Sequence, residues 1–331
     1  MPERLKNLFS LLIRVGLSGA LLIWLFSKID YKHTWEAVKG ADMIWMLAAL
    51  GVFLATVFII FLRWRLLMKT VGLKVTRFNS LRWFLIGQFY NLCLPTSVGG
   101  DVVKAIGLAR ECGNKPKVIA SIVLDRMSGF TGIVITAAVS FLFGRAIVNN
   151  HAVAGSIMMM TAFSLGLALV LFSQRIFTTI CRLFNRLPRI KDGLLRLHDD
   201  VILLRGQAWK GAESVALSVA AQVTGAFGFY LTAKAMHQDI GLLYFIIFSP
   251  LVCVATSLPS IGGLGVREVG WKVLLGQLGV RPEIAVGLSL INFAFMVIVG
   301  LFGGLLYVVT LSPGRVQHHP SNAQLGRSIT G

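Results

Sequence analysis

Two short runs carry most of the chemistry in this chain. Residues 94–104 read L-P-T-S-V-G-G-D-V-V-K, and residues 258–268 read L-P-S-I-G-G-L-G-V-R-E. Each opens with Leu-Pro, reaches a Gly-Gly pair, and places a cation four positions past the second glycine: Lys104 after Gly100, Arg267 after Gly263. Proline cannot continue a helix, so Pro95 and Pro259 each predict a break. Gly99-Gly100 and Gly262-Gly263 then allow a sharp turn, because glycine accepts backbone angles closed to other residues. A new helix is expected to follow each pair, with Asp101 as the N-cap of the first. Helix amino termini carry unsatisfied N–H groups and partial positive charge. They suit an anion, above all a phosphate. Lys104 and Arg267, each one turn into its helix, would reinforce that charge. Asp101 and Glu268 would orient the cations or follow a coupled proton.

A further pair, Asp125-Arg126, lies inside the apolar run 118–144. A charge at mid-bilayer costs about 3 kcal/mol on insertion scales. Adjacent helical positions point about 100° apart, so the two cannot simply neutralise each other and each needs a partner elsewhere. Two readings stand: the pair sits near the cytoplasmic end, snorkelling, and fixes topology, or Arg126 faces a central cavity. Gln88 and Asn91 share a helix face and could line it. Asn292 reads as an interhelical hydrogen bonder and Arg82 as a snorkelling cation. None of the four cysteines forms a C-x-x-C pair. Gly263-x-Gly265 has no βαβ context to make it a nucleotide fingerprint. No Ser/His/Asp or Cys/His set can be assembled. The sequence predicts no metal, no cofactor and no catalytic residue.

Such residues need a membrane scaffold to hold them. The chain has 331 residues, 56% hydrophobic and 14% charged, where soluble chains are about a quarter charged. Mean hydropathy is +0.76. Apolar runs at 8–26, 43–62, 118–144, 152–172, 211–236 and 282–310 are read as bilayer spans. The first is read as an uncleaved helix rather than a signal peptide. Residues 80–94 and 242–258 are too short to cross, so each chain segment is expected to dip into the membrane, turn and return. Such backbone is tolerated when it is buried in protein or lines a cavity.

The net charge is +18, from 32 Lys and Arg against 14 Asp and Glu. It is read as positive-inside bias rather than nucleic-acid binding. Residues 63–79 hold five cations and no acid, and residues 173–210 hold eight cations against three acids. Both are assigned to the cytoplasm, the second as amphipathic helices along the headgroups. Five cations fall in the outer segments: Lys28, Lys32, Lys39, Arg145 and Arg281. This bookkeeping makes the chain an all-α polytopic membrane protein of the cell inner membrane. Residues 1–311 form one membrane domain, both termini are cytoplasmic, and residues 312–331 are a disordered tail. One broken hairpin enters from each side, in corresponding positions of two halves, 43–145 and 205–311. That pattern signals an inverted-topology repeat with its site near the midplane.

The paired motifs, with L-D-R between them, resemble the flippase-like transmembrane domain family named for the membrane region of lysylphosphatidylglycerol synthases. The resemblance covers about residues 10–310. It implies a domain that moves a lipid with a polar or anionic phosphate headgroup between leaflets. By position, it carries the family's pattern onto Pro95, Gly99, Gly100, Asp101, Lys104, Asp125, Arg126, Pro259, Gly262, Gly263, Arg267 and Glu268. Here the acid before Arg126 is Asp where Glu is more usual. The full synthase also has a soluble aminoacyl-transferase domain, and this chain has no such segment, so a non-enzymatic carrier is expected. The competing reading is an intramembrane enzyme, or an accessory subunit, acting on a lipid phosphate. Membrane lipid is the expected partner and nucleic acid is not. Lipid identity, direction, coupling ion and oligomeric state stay open.

Overall fold

The computed structural model describes residues 38–94, 99–144, 207–256 and 265–311. The readings for the first span, the 145–206 segment, the tail and Pro95, Pro259, Gly262 and Gly263 lie outside the described residues. Among the described residues there are eight helices: α1 (Met43–Thr70), α2 (Arg77–Cys93), α3 (Gly99–Cys112), α4 (Lys115–Gly144), α5 (Ala208–Ala235), α6 (Leu242–Ala255), α7 (Val266–Gly276) and α8 (Pro282–Leu311). The chain is a multi-pass, all-helical membrane protein.

The helices fall into two runs with the same order: long, short, short, long. α1, α4, α5 and α8 are apolar and long enough to span. At 1.5 Å per residue, α2, α3, α6 and α7 reach about 16–25 Å each, short of a hydrocarbon core about 30 Å thick. None of these four is long enough to cross it alone.

Several boundaries move from the sequence reading. α1 continues past residue 62 to Thr70, so Arg63, Arg65 and Lys69 sit on the span rather than in a loop. The cause is visible in the packing: Trp64, Leu67, Met68 and Val71 keep helical spacing and are buried. α4 starts at Lys115 and α5 at Ala208, each earlier than its apolar run. The amphipathic segment read as extending to 210 therefore ends sooner. Lys210 instead sits on α5 and pairs with Glu213 at 3.0 Å.

Two buried cores form, one centred on each run and each taking side chains from the other. In the first, Phe61, Trp64, Leu67, Phe84, Ile86 and Leu108 pack together. In the second, Phe245, Phe248, Trp271, Leu275 and Leu288 do so. α5 sits centrally, against α1, α4, α6 and α8. It runs antiparallel to α1: the Asp42 N–H donates to the Ala235 carbonyl at 2.8 Å, joining the start of α1 to the end of α5. Asp42 also caps α1, accepting from the Ile44 N–H at 2.8 Å. The short helices cross between runs, since α2 packs on α8 and α6 packs on α4. The α2–α8 contact is close because of glycine: a Cβ on Gly303 would lie 2.0 Å from the Leu85 carbonyl oxygen. Small residues let membrane helices approach in this way.

Candidate functional site

Five charged side chains meet beside the first hairpin, α2 followed by α3: Asp101 and Lys104 of α3, Arg63 of α1, and Asp125 and Arg126 of α4. Asp101 is the third residue of α3, not its N-cap. Its carboxylate is buried, where it accepts from Lys104 at 2.9 Å and from Arg126 of α4 at 2.5 Å. The capping role falls to Asn91 of α2, whose Oδ1 accepts from the Gly100 N–H at 2.9 Å. Lys104 is buried too, with its ammonium 4.5 Å from the Trp64 ring centre and 5.8 Å from that of Phe84. Cation–π contact of this kind is worth more once water is removed.

Gly100 is needed for a different reason from the one its sequence context suggests. It lies within the helix and has no positive φ. A Cβ there would sit 2.0 Å from the Gly87 carbonyl oxygen and 2.6 Å from Asn91. The glycine permits a close approach of α3 to α2. The left-handed backbone occurs instead at Gly265 of the second hairpin, with φ 84°.

Asp125 and Arg126 separate as their 100° offset requires. Arg126 reaches Asp101, and Asp125 turns to Arg63 of α1 at 2.8 Å. Arg63 also donates to the Ser218 hydroxyl of α5 at 3.0 Å, and that hydroxyl lies 2.8 Å from Ser128. Reading the sequence places Arg63 in a cytoplasmic loop. The signal that could have found it was the apolar spacing on both sides of it and an acid in α4 that needed a cation.

These groups line a cavity of about 270 Å³. Gln88, Asn91 and Gly129 also face it. Three cations, Arg63, Lys104 and Arg126, stand against two carboxylates, Asp101 and Asp125, for a net charge of +1. Arg126 is the most open of them, with 44% of its side chain exposed, against 10% or less for the side chains of Arg63 and Lys104. It is the twelfth residue of α4, about 16 Å from the helix start at 1.5 Å per residue.

The second hairpin, α6 followed by α7, is built differently. Glu268 is fully buried and is also the third residue of its helix, the position Asp101 holds in α3. It accepts from the Gly265 N–H at 2.7 Å, from Arg267 at 2.6 Å and from Ser289 of α8 at 3.0 Å. Glu268 does not line the first cavity, and neither does Arg267. Arg267 instead donates to Ser289 at 2.9 Å, lies 5.0 Å from the Phe293 ring centre, and borders an adjoining cavity of about 220 Å³. The single shared centre expected from the two motifs is therefore two neighbouring cavities, one per hairpin.

The helix amino termini are also less open than expected. In each hairpin one of the first N–H groups is already taken, by Asn91 at Gly100 and by Glu268 at Gly265. Those two N–H groups are therefore not open to a ligand. Two further polar residues have structural partners. Arg82 pairs with Glu111, joining α2 to α3 rather than reaching a headgroup. Asn292 donates to Thr232 of α5 at 3.2 Å and to the Leu288 carbonyl at 3.0 Å, and it borders the second cavity.

The family model of the lysylphosphatidylglycerol synthase TM region matches residues 11–304 of this chain. A curated relative, the UPF0104 membrane protein PH1989 of Pyrococcus horikoshii, is 24% identical over 324 residues, covering 89% of this chain and 95% of the relative.

Proposed function

The chain belongs to the lysylphosphatidylglycerol synthase TM region family, and on that premise we propose that it carries a lipid with a polar or anionic phosphate headgroup between membrane leaflets. The observation that carries the reading is the ion network around the first cavity. Five charged groups within a membrane domain are costly to keep there. They leave a net charge of +1, and the side chain most open to the cavity is an arginine. Arginine's planar fork matches phosphate oxygens. Two cavities of about 270 and 220 Å³ offer room for a headgroup while acyl chains stay in the bilayer.

The two runs are read as an inverted repeat, supported by their matching helix order and by the antiparallel contact of α1 with α5. Alternating access would then come from one run rocking against the other. The chain is read as a carrier and not a catalyst, because both carboxylates facing the first cavity are engaged by cations. The inner membrane is its proposed location. Lys74, Arg77, Arg110, Lys115 and Lys117 gather at the end of the bundle where α1 finishes, the end read as cytoplasmic.

Transfer of a fluorescent phosphatidylglycerol analogue in proteoliposomes tests the reading. Wild type should exceed protein-free vesicles. Arg126→Ala should lower the rate at least about tenfold, the value of one charge-assisted hydrogen bond. The fold should survive, because Asp101 keeps Lys104 as a partner. Equal rates for wild type and Arg126→Ala would remove this arginine from the mechanism, and wild type no faster than empty vesicles would remove the carrier reading. Orientation is tested by labelling: Lys74→Cys should react from inside and Asp239→Cys from outside.

A further inference from the structure

The two cavities share a wall. Among the residues lining them, Gln222 and Cys253 border both. Each cavity has cations of its own: Arg63, Lys104 and Arg126 on one side, Arg267 of α7 on the other. Polar groups continue beyond the wall, with Ser249, Thr256 and Asn292 facing the second cavity. A phosphate moving from Arg126 towards Arg267 would therefore meet these two side chains and little else.

The two halves of the wall differ in stiffness. Gln222 lies at the middle of α5, which is packed by α1, α4, α6 and α8. Cys253 lies near the inner end of α6, three residues past Pro250. Proline within a helix removes one backbone hydrogen bond and crowds the carbonyl four residues earlier. The tip carrying Cys253 is thus the part of the wall best able to swing. Neither side chain is charged. An amide can hydrogen-bond a passing phosphate, and a thiol is small enough to clear the way.

We propose that Gln222 and Cys253 form a gate between the two cavities and set the size of headgroup that passes. The proposal rests on the carrier reading above.

The test uses the full chain with Cys93→Ser, Cys112→Ser and Cys181→Ser, so that Cys253 is the remaining thiol. The first readout needs no lipid substrate. A charged, membrane-impermeant methanethiosulfonate is added to each face of sealed vesicles; the thiolate displaces methanesulfinate and a mixed disulfide forms. Reaction of Cys253 from both faces is expected, because each cavity should open to one side in turn. The second readout is transfer of the phosphatidylglycerol analogue after complete modification. Loss should grow with adduct size, from a methylthio group to a benzylthio group, with at least a tenfold drop for the larger. Gln222→Trp should reproduce that drop, and the adducts form on protein already folded, so misfolding of the tryptophan variant does not decide the matter. Full transfer with the benzylthio adduct in place would overturn the gate while leaving the carrier reading intact. If wild type transfers no lipid, the carrier reading fails and labelling decides alone: reaction from both faces keeps a connection between the cavities, and reaction from one face or neither removes it.

Discussion

Arg63→Ala is the sharpest test of the charge network. In the structure Arg63 is buried on α1, donates to Asp125 at 2.8 Å and to Ser218 at 3.0 Å, and packs against Gly129. Removing it leaves the Asp125 carboxylate inside the membrane domain without its cation. Breaking a buried pair by deleting one partner costs about 3–5 kcal/mol. Were Arg63 instead in an aqueous loop, the loss would be about 0.2–1 kcal/mol, the value of an exposed pair. The gap between those ranges is wide enough to decide. Equilibrium unfolding in mixed micelles, followed by tryptophan fluorescence, measures it; Trp64 is fully buried and lies beside the network. The double variant Arg63→Ala/Asp125→Ala removes both charges and should recover roughly 2–3 kcal/mol, since what remains is mainly lost packing. A single-variant cost below about 1 kcal/mol, or a double variant as unstable as the single, would refute the buried pairing.

Three further outcomes are expected. Glu268→Gln should destabilise by about 3–5 kcal/mol, because it strips the charge from a fully buried acceptor of Arg267, Ser289 and the Gly265 N–H; an unchanged unfolding midpoint would contradict it. Gly303→Leu should cost about 2–3 kcal/mol by forcing α8 from α2, while Gly51→Ala, where a Cβ meets nothing within 4 Å, should gain about 0.5–1 kcal/mol. Both are read as shifts in unfolding free energy. The hydrogen bond from Lys234 holds the Asp239 carboxyl below its ordinary value. A depressed carboxyl stabilises above the unfolded value and loses that contribution as pH falls through the folded one. The difference in midpoint between wild type and Asp239→Asn should therefore be small and constant from about pH 8 to 5 and close below about pH 4. A difference that widens on acidification would reverse the assignment.

Much of the architecture was legible because bilayers impose it. Long apolar runs locate α1, α4, α5 and α8. What could not be read was which groups meet. Arg63 carries the same letter as Arg65, which follows it by two residues, yet Arg63 is buried against Asp125. The difference lies in helix phase relative to α4, and phase depends on packing. Likewise, counting from the Gly-Gly pairs matches Lys104 with Arg267. Counting from the helix starts matches Asp101 with Glu268, each the third residue. Each hairpin thus pairs one buried acid with one cation, three residues after the acid in α3 and one residue before it in α7, an ordering whose contacts the motif alone does not show.

The pairing in the first cavity bears on how a headgroup would be held. Lys104 and Arg126 share Asp101, and Arg63 holds Asp125. An incoming phosphate must then compete with Asp101 for the same cations, so binding is an exchange of one anion for another. Exchange suits a carrier, since a site must be favourable enough to enter and weak enough to leave. Asp101→Asn separates this account from a purely structural one. It removes the competitor and raises the net charge of the cavity by one. Equilibrium binding of phosphatidylglycerol vesicles or inorganic phosphate to the variant should tighten, by about tenfold for one released charge-assisted contact, while transfer slows because release is slower. Weaker binding together with slower transfer would mean that Asp101 serves to hold Lys104 and Arg126 in position, and anion exchange would not describe the site.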